Sequence, residues 1–303
     1  MKSSIIEKIN VLKKSKNAII LAHNYQLPEI QDTADFVGDS LELSVKASKT
    51  TSDIIVFCGV HFMAETASIL SPHKKVIIPD LEAGCPMADM INARDVINKK
   101  KKHTDAIAVC YVNTTAEVKA ECDYAVTSAN AVDIISKLKH HKNIIFLPDK
   151  NLGSFVTEKT GKEMILMDGY CPTHAKITAG EILNRKKEHP GALVVSHPEC
   201  ESEVRNISDI VASTSQMCKF IRESNCREFI MATEEGLNHR LKKENPDKNF
   251  YPASVYGVCP NMKKNTLEKL LWTLEDEKNE VKVPENIRAR ALKCVENMIN
   301  LST

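Results

Sequence analysis

The 303-residue sequence predicts an α/β protein made of three related domains, each with a small parallel four-stranded sheet. Three observations support this. The Cys-Pro pairs Cys85-Pro86, Cys171-Pro172 and Cys259-Pro260 recur at intervals of 86 and 88 residues. Apolar, strand-like runs recur near the same interval. Between them lie helix-like stretches of about ten residues, the alternation that gives right-handed βαβ crossovers and a parallel sheet.

The first strand of each unit is AIILAHNY (18–25), AIAVCYVN (106–113) or ALVVSHPE (192–199). These short apolar runs suit strands buried on both faces. Their polar exits, His23, Tyr111 and His197, are spaced 88 and 86. The second strands exit at Ser40, Ser128 and Thr214, spaced 88 and 86 again. Helices follow over SLELSVKASK (40–49), ANAVDIISKLKH (129–140) and STSQMCKFIRES (213–224). The third strands are DIIVF (53–57), NIIFL (143–147) and EFIMA (228–232). The fourth are VIIPD (76–80), MILMD (164–168) and YPASVY (251–256), each leading to a Cys-Pro pair and another helix. The expected domains are 1–84 with the C-terminal helices 260–303, then 85–170, then 171–259. The rival is one larger doubly wound sheet with accidental periodicity.

Composition narrows the function classes. Hydrophobic residues at 43% and charged residues at 27% exclude a disordered chain. Forty-one basic against forty acidic residues give no support to a nucleic-acid binder. No run approaches a membrane span. The N-terminal MKSSIIEKINVLKKSKN has helical spacing and lacks the apolar stretch of a signal peptide, so a cytoplasmic location is expected. The unusual count is ten cysteines without a single CxxC, which argues against a zinc ribbon, a thioredoxin-type pair and a contiguous ferredoxin run. Cys58 and Cys110 read as buried strand residues. Cys122, Cys218, Cys226 and Cys294 have no partner nearby in sequence.

The three Cys-Pro cysteines differ. In open parallel sheets, ligands bind beyond the carboxyl ends of the strands, and all the recurring polar residues fall there. If the units pack around a pseudo-threefold axis with these ends inward, Cys85, Cys171 and Cys259 converge. Three thiolates at one point need a soft metal centre. Pro at the first helical turn would set each thiol at a helix N-terminus, which favours the thiolate. Three sulfur ligands leave one position open, on zinc or on a [4Fe-4S] cluster. An open iron suits dehydration, whereas electron transfer prefers four cysteines. Ser40, Ser128 and Thr214 are candidate ligand contacts, with helix capping as the alternative. Tyr25 and Glu199, each two residues past a histidine, are a candidate acid–base pair. His174 would stand behind a ligand or line the cavity. Histidines 73, 103, 140, 141, 189 and 239 carry no assigned role, and Lys99–Lys102 reads as a solvated helix end.

Five motifs together resemble the quinolinate synthase family: AHNYQLPEIQDTADFVGDSLELS (22–44), AGCPMAD (83–89), YVNTTAEVKA (111–120), LPDKNLG (147–153) and HPEC (197–200). The resemblance covers nearly the whole chain. It implies three pseudosymmetric three-layer α/β/α domains around a central active site. It implies one [4Fe-4S] cluster with three cysteine ligands, Cys85, Cys171 and Cys259, and one open iron. The implied reaction condenses iminosuccinate with dihydroxyacetone phosphate to quinolinate, phosphate and two waters, in NAD biosynthesis. The implied substrate-binding positions are His23, Ser40, Tyr111, Val112, Asn113, Ser128, His197, Pro198, Glu199 and Thr214, with His174 added from its place beside Cys171. Tyr25, Glu199, His23, His197 and Tyr111 are the implied catalytic residues. Few Lys or Arg fall in these motifs, so carboxylates would be held by neutral donors, helix N-termini and His. A transient partner would be the L-aspartate oxidase or dehydrogenase that makes iminosuccinate; no nucleic acid and no membrane are expected. The alternatives are an iron–sulfur redox sensor, another [4Fe-4S] hydro-lyase, or a zinc hydrolase.

Overall fold

The computed structural model describes residues 2–302. Helix α1 (Lys2–Ser15) precedes the first unit. That unit runs β1 (Ala18–His23), α2 (Pro28–Thr33), β2 (Phe36–Gly38), α3 (Ser40–Lys49), β3 (Ile54–Cys58), α4 (His61–Leu70) and β4 (Lys75–Ile77), then α5 (Pro86–Asp89) and α6 (Ala93–Lys102). The second repeats the pattern as β5 (Ala106–Tyr111), α7 (Ala116–Ala120), β6 (Tyr124–Val126), α8 (Ala131–Lys137), β7 (Asn143–Leu147), α9 (Lys150–Thr160) and β8 (Ile165–Leu166), then α10 (Pro172–Ala175) and α11 (Ala179–Glu188). The third is β9 (Leu193–Ser196), α12 (Ser202–Asn206), β10 (Ile210–Val211), α13 (Thr214–Glu223), β11 (Glu228–Ala232), α14 (Leu237–Glu244) and β12 (Asn249–Pro252). A 3₁₀ turn at Met262–Lys264 and helices α15 (Leu267–Asp276) and α16 (Glu285–Leu301) end the chain.

The fold is α/β with three separate four-stranded sheets, so the single larger sheet is excluded. All three share one order, second strand, first, third, fourth, and every ladder is parallel. The third strands are apolar apart from Asn143 and Glu228 at the starts of β7 and β11, as parallel strands covered on both faces should be. The repeat extends to side-chain bonds. Asp35, Asp123 and Asp209, spaced 88 and 86, each accept a bond from the first strand of their unit: from Ile20 N at 2.8 Å, Ala108 N at 2.8 Å and Val194 N at 2.7 Å.

Three expectations are corrected. The last sheet strand covers 249–252 and not 251–256, because Ser254 accepts from the Tyr256 amide at 3.1 Å and turns the chain. Helix α8 covers only 131–137, since Asn130 accepts from the Thr127 amide at 2.6 Å in a local turn before it. After Cys259 there is a 3₁₀ turn in place of an α-helix. The C-terminal tail divides its packing. Leu267, Leu270 and Leu274 of α15 join Ile9 of α1 and the back of the first sheet. Helix α16 packs on α7 and β6 of the second unit as well as on α4 of the first.

In each sheet the first and third strands lie side by side, and their connections leave in opposite directions. That is a topological switch point, where a crevice opens beyond the strand ends.

Candidate active site

The crevices of the three units meet in one cavity of about 160 Å³. Its polar wall is built from threefold sets. His23, Tyr111 and His197 lie at the ends of the first strands. Tyr25, Asn113 and Glu199 lie two residues on. Ser40, Ser128 and Thr214 follow the second strands, and Cys85, Cys171 and Cys259 precede the Pro-started turns. All twelve line the cavity, as does His174. Val112 and Pro198 do not line it; both are buried behind the wall, where their backbone forms the bend of the loop.

The three hydroxyl positions are not caps. Asp39 caps α3 through the amides of Leu41 and Glu42, and Ser213 caps α13 through the Gln216 amide. Ser40 and Thr214 therefore sit one residue inside their helices. Ser128 lies within 3.2 Å of His197 Nε2, and Thr214 Oγ1 accepts from Asn24 Nδ2 at 2.8 Å.

Burial sets the histidine chemistry. His23 and His197 are held down to about 3, chiefly by desolvation, so both imidazoles are neutral at pH 7. Their tautomers follow from repeated backbone contacts. The Tyr25 amide donates to His23 Nδ1 at 3.2 Å, and the Glu199 amide donates to His197 Nδ1 at 3.3 Å. Nδ1 is the acceptor in both, which leaves Nε2–H as the donor.

Tyr25 and Glu199 are joined by a chain of contacts. Tyr25 Oη lies 2.8 Å from Thr233 Oγ1, and Thr233 Oγ1 lies 3.1 Å from His174 Nε2. His174 Nδ1 lies 2.7 Å from Glu199 Oε2. With Glu199 ionised, His174 donates from Nδ1 and accepts from Thr233 at Nε2, and Thr233 accepts from Tyr25. Burial works against the Glu199 charge. His197 and His174, with hydrogen bonds from His174 and Tyr111, outweigh it and hold this carboxyl well below the usual range. Burial, then the Glu199 charge, pushes the Tyr25 hydroxyl well up. At neutral pH Glu199 is thus a carboxylate and Tyr25 a protonated phenol.

The thiols depart from expectation. Desolvation pushes Cys85 up to about 12 and raises Cys171 and Cys259 as well. Backbone amides, including those of Met87 and Ala88 at Cys85 and of His174 at Cys171, act in the lowering direction. They are outweighed, because turns of three or four residues carry little dipole. Cys259 raises Cys85, and Cys85 raises Cys171, so the charges of the three thiols are felt mutually. His174 Nδ1 also lies 3.2 Å from Cys171 Sγ, and Cys171, His174 and Glu199 bring their donor atoms within 4.8 Å of one another.

A family model, NadA, quinolinate synthetase A protein, matches residues 7–300. The chain belongs to the quinolinate synthase family. A quinolinate synthase of Dehalococcoides mccartyi (strain CBDB1) is 54% identical over 297 residues, 98% of each chain. That of Thermodesulfovibrio yellowstonii is 52% identical over 302 residues, 99% of each. That of Methanosarcina barkeri is 47% identical over 297 residues, 98% of this chain and 97% of the other. The quinolinate synthase fold expected from the motifs agrees with the three parallel sheets. Among the described residues no helix is long and apolar enough to cross a membrane.

Sequence reasoning missed several groups of this site. Thr233 and Glu234 leave the third strand of the third unit, where the other units have Gly59 and Val60, and Pro148 and Asp149. Glu234, fully buried, accepts from the Cys259 amide at 3.1 Å and pairs with Lys263 Nζ at 2.8 Å. Lys176, exposed at the rim, is the one lysine or arginine among the described lining residues. Lys176 had a signal, since it lies five residues after Cys171. Thr233 had none, because its counterparts Gly59 and Pro148 share no chemistry with it, and Glu234 had only a faint one, the carboxyl of Asp149 in one other unit. Cys294 does have a partner: its sulfur lies 3.6 Å from that of Cys110, 184 residues away.

Proposed function

We propose that this chain condenses iminosuccinate with dihydroxyacetone phosphate to give quinolinate, phosphate and two waters, with Cys85, Cys171 and Cys259 holding one [4Fe-4S] cluster. The observation that carries this reading is the meeting of three half-buried cysteines, one per unit, in the cavity that also holds the chain from Tyr25 to Glu199. The donor set fits the cluster. Thiols pushed up by burial and by one another are stabilised as thiolates by a soft cationic centre, and among the described lining residues Lys176 at the rim is the one lysine or arginine that could otherwise balance their charge. When bound, such a cluster supplies Lewis-acid assistance to loss of hydroxyl as water.

The chain's own residues do the rest. His23 Nε2–H and the Ser128 hydroxyl backed by His197 donate to substrate oxygens without adding charge. Asn113, whose buried Oδ1 has no protein partner, presents that oxygen to the imine or amine nitrogen of the substrate. Ser40 and Thr214 bind carboxylate oxygens at the first turns of α3 and α13. Glu199 takes the proton in enolisation, and Tyr25 gives one to the departing hydroxyl. The Thr233–His174 chain holds the two groups in place, and the second dehydration, with Tyr25 as base and Glu199 as acid, restores both. Val60, Phe62 and Met63 close the apolar side and keep water off the imine. Lys176 at the rim meets the triose phosphate.

The test is direct. Anaerobically purified protein with its iron counted should form quinolinate from the two substrates with release of phosphate. Iron-loaded protein that releases no phosphate and forms no quinolinate refutes the reading.

A further inference from the structure

The loops that leave the first strands carry six of the polar groups in the cavity and bend while buried. Bent, buried backbone leaves carbonyls that no sheet ladder satisfies. Gln31, Lys119 and Arg205 stand at intervals of 88 and 86, the interval of the repeat itself. They lie on α2, α7 and α12, the helices that follow those loops. Their exposures are 5%, 0% and 5%. Gln31 Nε2 donates to the carbonyls of Asn24 at 3.2 Å and Gln26 at 2.9 Å. Lys119 Nζ donates to the carbonyls of Val112 at 2.8 Å and Thr114 at 2.5 Å. Arg205 Nη1 donates to the carbonyl of Cys200 at 2.7 Å. Gln26, Thr114 and Cys200 are themselves spaced 88 and 86. Three different side chains thus deliver a donor to the same carbonyl of the repeat.

Each of the three also reaches a neighbouring unit. Gln31 Nε2 donates to the Gly236 carbonyl at 2.8 Å, just before α14. A Cβ on Gly236 would lie 2.8 Å from the Tyr25 carbonyl carbon, so glycine permits this approach. Lys119 Nζ lies 5.5 Å from the Phe62 ring centre on α4, and Glu65 of α4 accepts from the Ala116 amide at 3.0 Å. Arg205 Nη2 donates to Glu158 at 2.8 Å and Ser154 at 3.3 Å on α9. Helices α14, α4 and α9 are the equivalent helices after each third strand. The contacts run from unit one to three, two to one and three to two, and close a ring.

We propose that Gln31, Lys119 and Arg205 are a threefold set of positioning residues. Each fixes one strand-exit loop, and with it His23 and Tyr25, Tyr111 and Asn113, or His197 and Glu199, against the neighbouring unit. None of the three lines the cavity, so they act through the loops and not on the substrate. The inference rests on the reading of the cavity as a quinolinate-forming site.

The test uses Gln31→Met and Lys119→Met, which remove the donors at nearly constant length, and Arg205→Lys against Arg205→Met. Iron per chain, kcat and KM per iron-loaded chain, and the Kd of malate as a four-carbon dicarboxylate probe are measured. The expected result is wild-type iron content with kcat/KM lowered about 10- to 100-fold, the scale of a catalytic group displaced by about 1 Å. Malate binding weakens in parallel, and Arg205→Lys retains more activity than Arg205→Met. Variants that keep kcat/KM and malate affinity within about twofold of wild type, or lose activity only in proportion to lost iron, overturn the proposal. Gln31→Met decides if Lys119→Met does not fold. If iron-loaded wild-type protein makes no quinolinate, the reaction assignment fails, while malate binding still judges the braces.

Discussion

Replacing Tyr25 with Phe removes one hydroxyl and little else. The ring keeps its edge contact with His23, centroids 4.7 Å apart. Thr233 keeps its other partner, His174 Nε2, at 3.1 Å. One buried neutral hydrogen bond is lost, a stability cost of about 1 kcal/mol. Removing a general acid lowers the rate by about 10²- to 10⁴-fold, roughly 2.7 to 5.4 kcal/mol of barrier. The kinetic effect therefore exceeds the structural one severalfold. Thr233→Val breaks the same chain in its middle and leaves both Tyr25 Oη and His174 Nε2 short of a partner. Groups acting as a unit give non-additive losses, so Tyr25→Phe with Thr233→Val should be only slightly slower than Tyr25→Phe alone. The assay is quinolinate formed per iron-loaded chain under anaerobic conditions, beside a denaturant midpoint. A Tyr25→Phe protein within threefold of wild-type kcat would refute the assignment of Tyr25. Losses that multiply in the double variant would refute the chain.

Three further outcomes are expected. Cys85→Ser, Cys171→Ser and Cys259→Ser should each abolish the visible cluster absorbance and activity together, while Cys58→Ser, at a thiol buried in β3, should spare the absorbance; absorbance and iron content read this. Lys176→Met should raise KM for dihydroxyacetone phosphate about tenfold, the scale of one charge-assisted contact, with kcat and iron content little changed; initial rates check it. His23 and His197 are neutral when folded down to about pH 3 but take up protons below about 6.5 when unfolded, so the unfolded state binds more protons between these values. Their contribution is whole above pH 6.5 and is lost as pH falls. Urea titrations at pH 6.5 and 5 should therefore give a mean slope smaller by about 1.1 kcal/mol per pH unit in His197→Asn than in wild type, and equal slopes would contradict it.

Much of the fold was legible because the repeat preserves residue character where chemistry is alike: apolar strands, hydroxyls at 40, 128 and 214, cysteines before proline. The braces were invisible because Gln31, Lys119 and Arg205 share a hydrogen-bonding duty and not a side-chain type. Thr233 was invisible for a related reason, since its counterparts are Gly59 and Pro148 and only one unit uses the position. The rise of the Cys85, Cys171 and Cys259 thiols could not be read from a Cys-Pro pair. It depends on burial by three units at once, which outweighs turns of three or four residues. The packing of α16 on the second unit depends on shape, as Ala291, Cys294, Val295 and Met298 form an apolar stripe that would suit either neighbour.

The measurement that bears most directly on the account is iron and sulfide per chain of the anaerobically purified protein, taken with its rate of quinolinate formation. The account predicts about four iron and four sulfide per chain and quinolinate from iminosuccinate and dihydroxyacetone phosphate, both lost when any one of Cys85, Cys171 or Cys259 becomes Ser. Zinc in place of iron, or full turnover without a cluster, would contradict it.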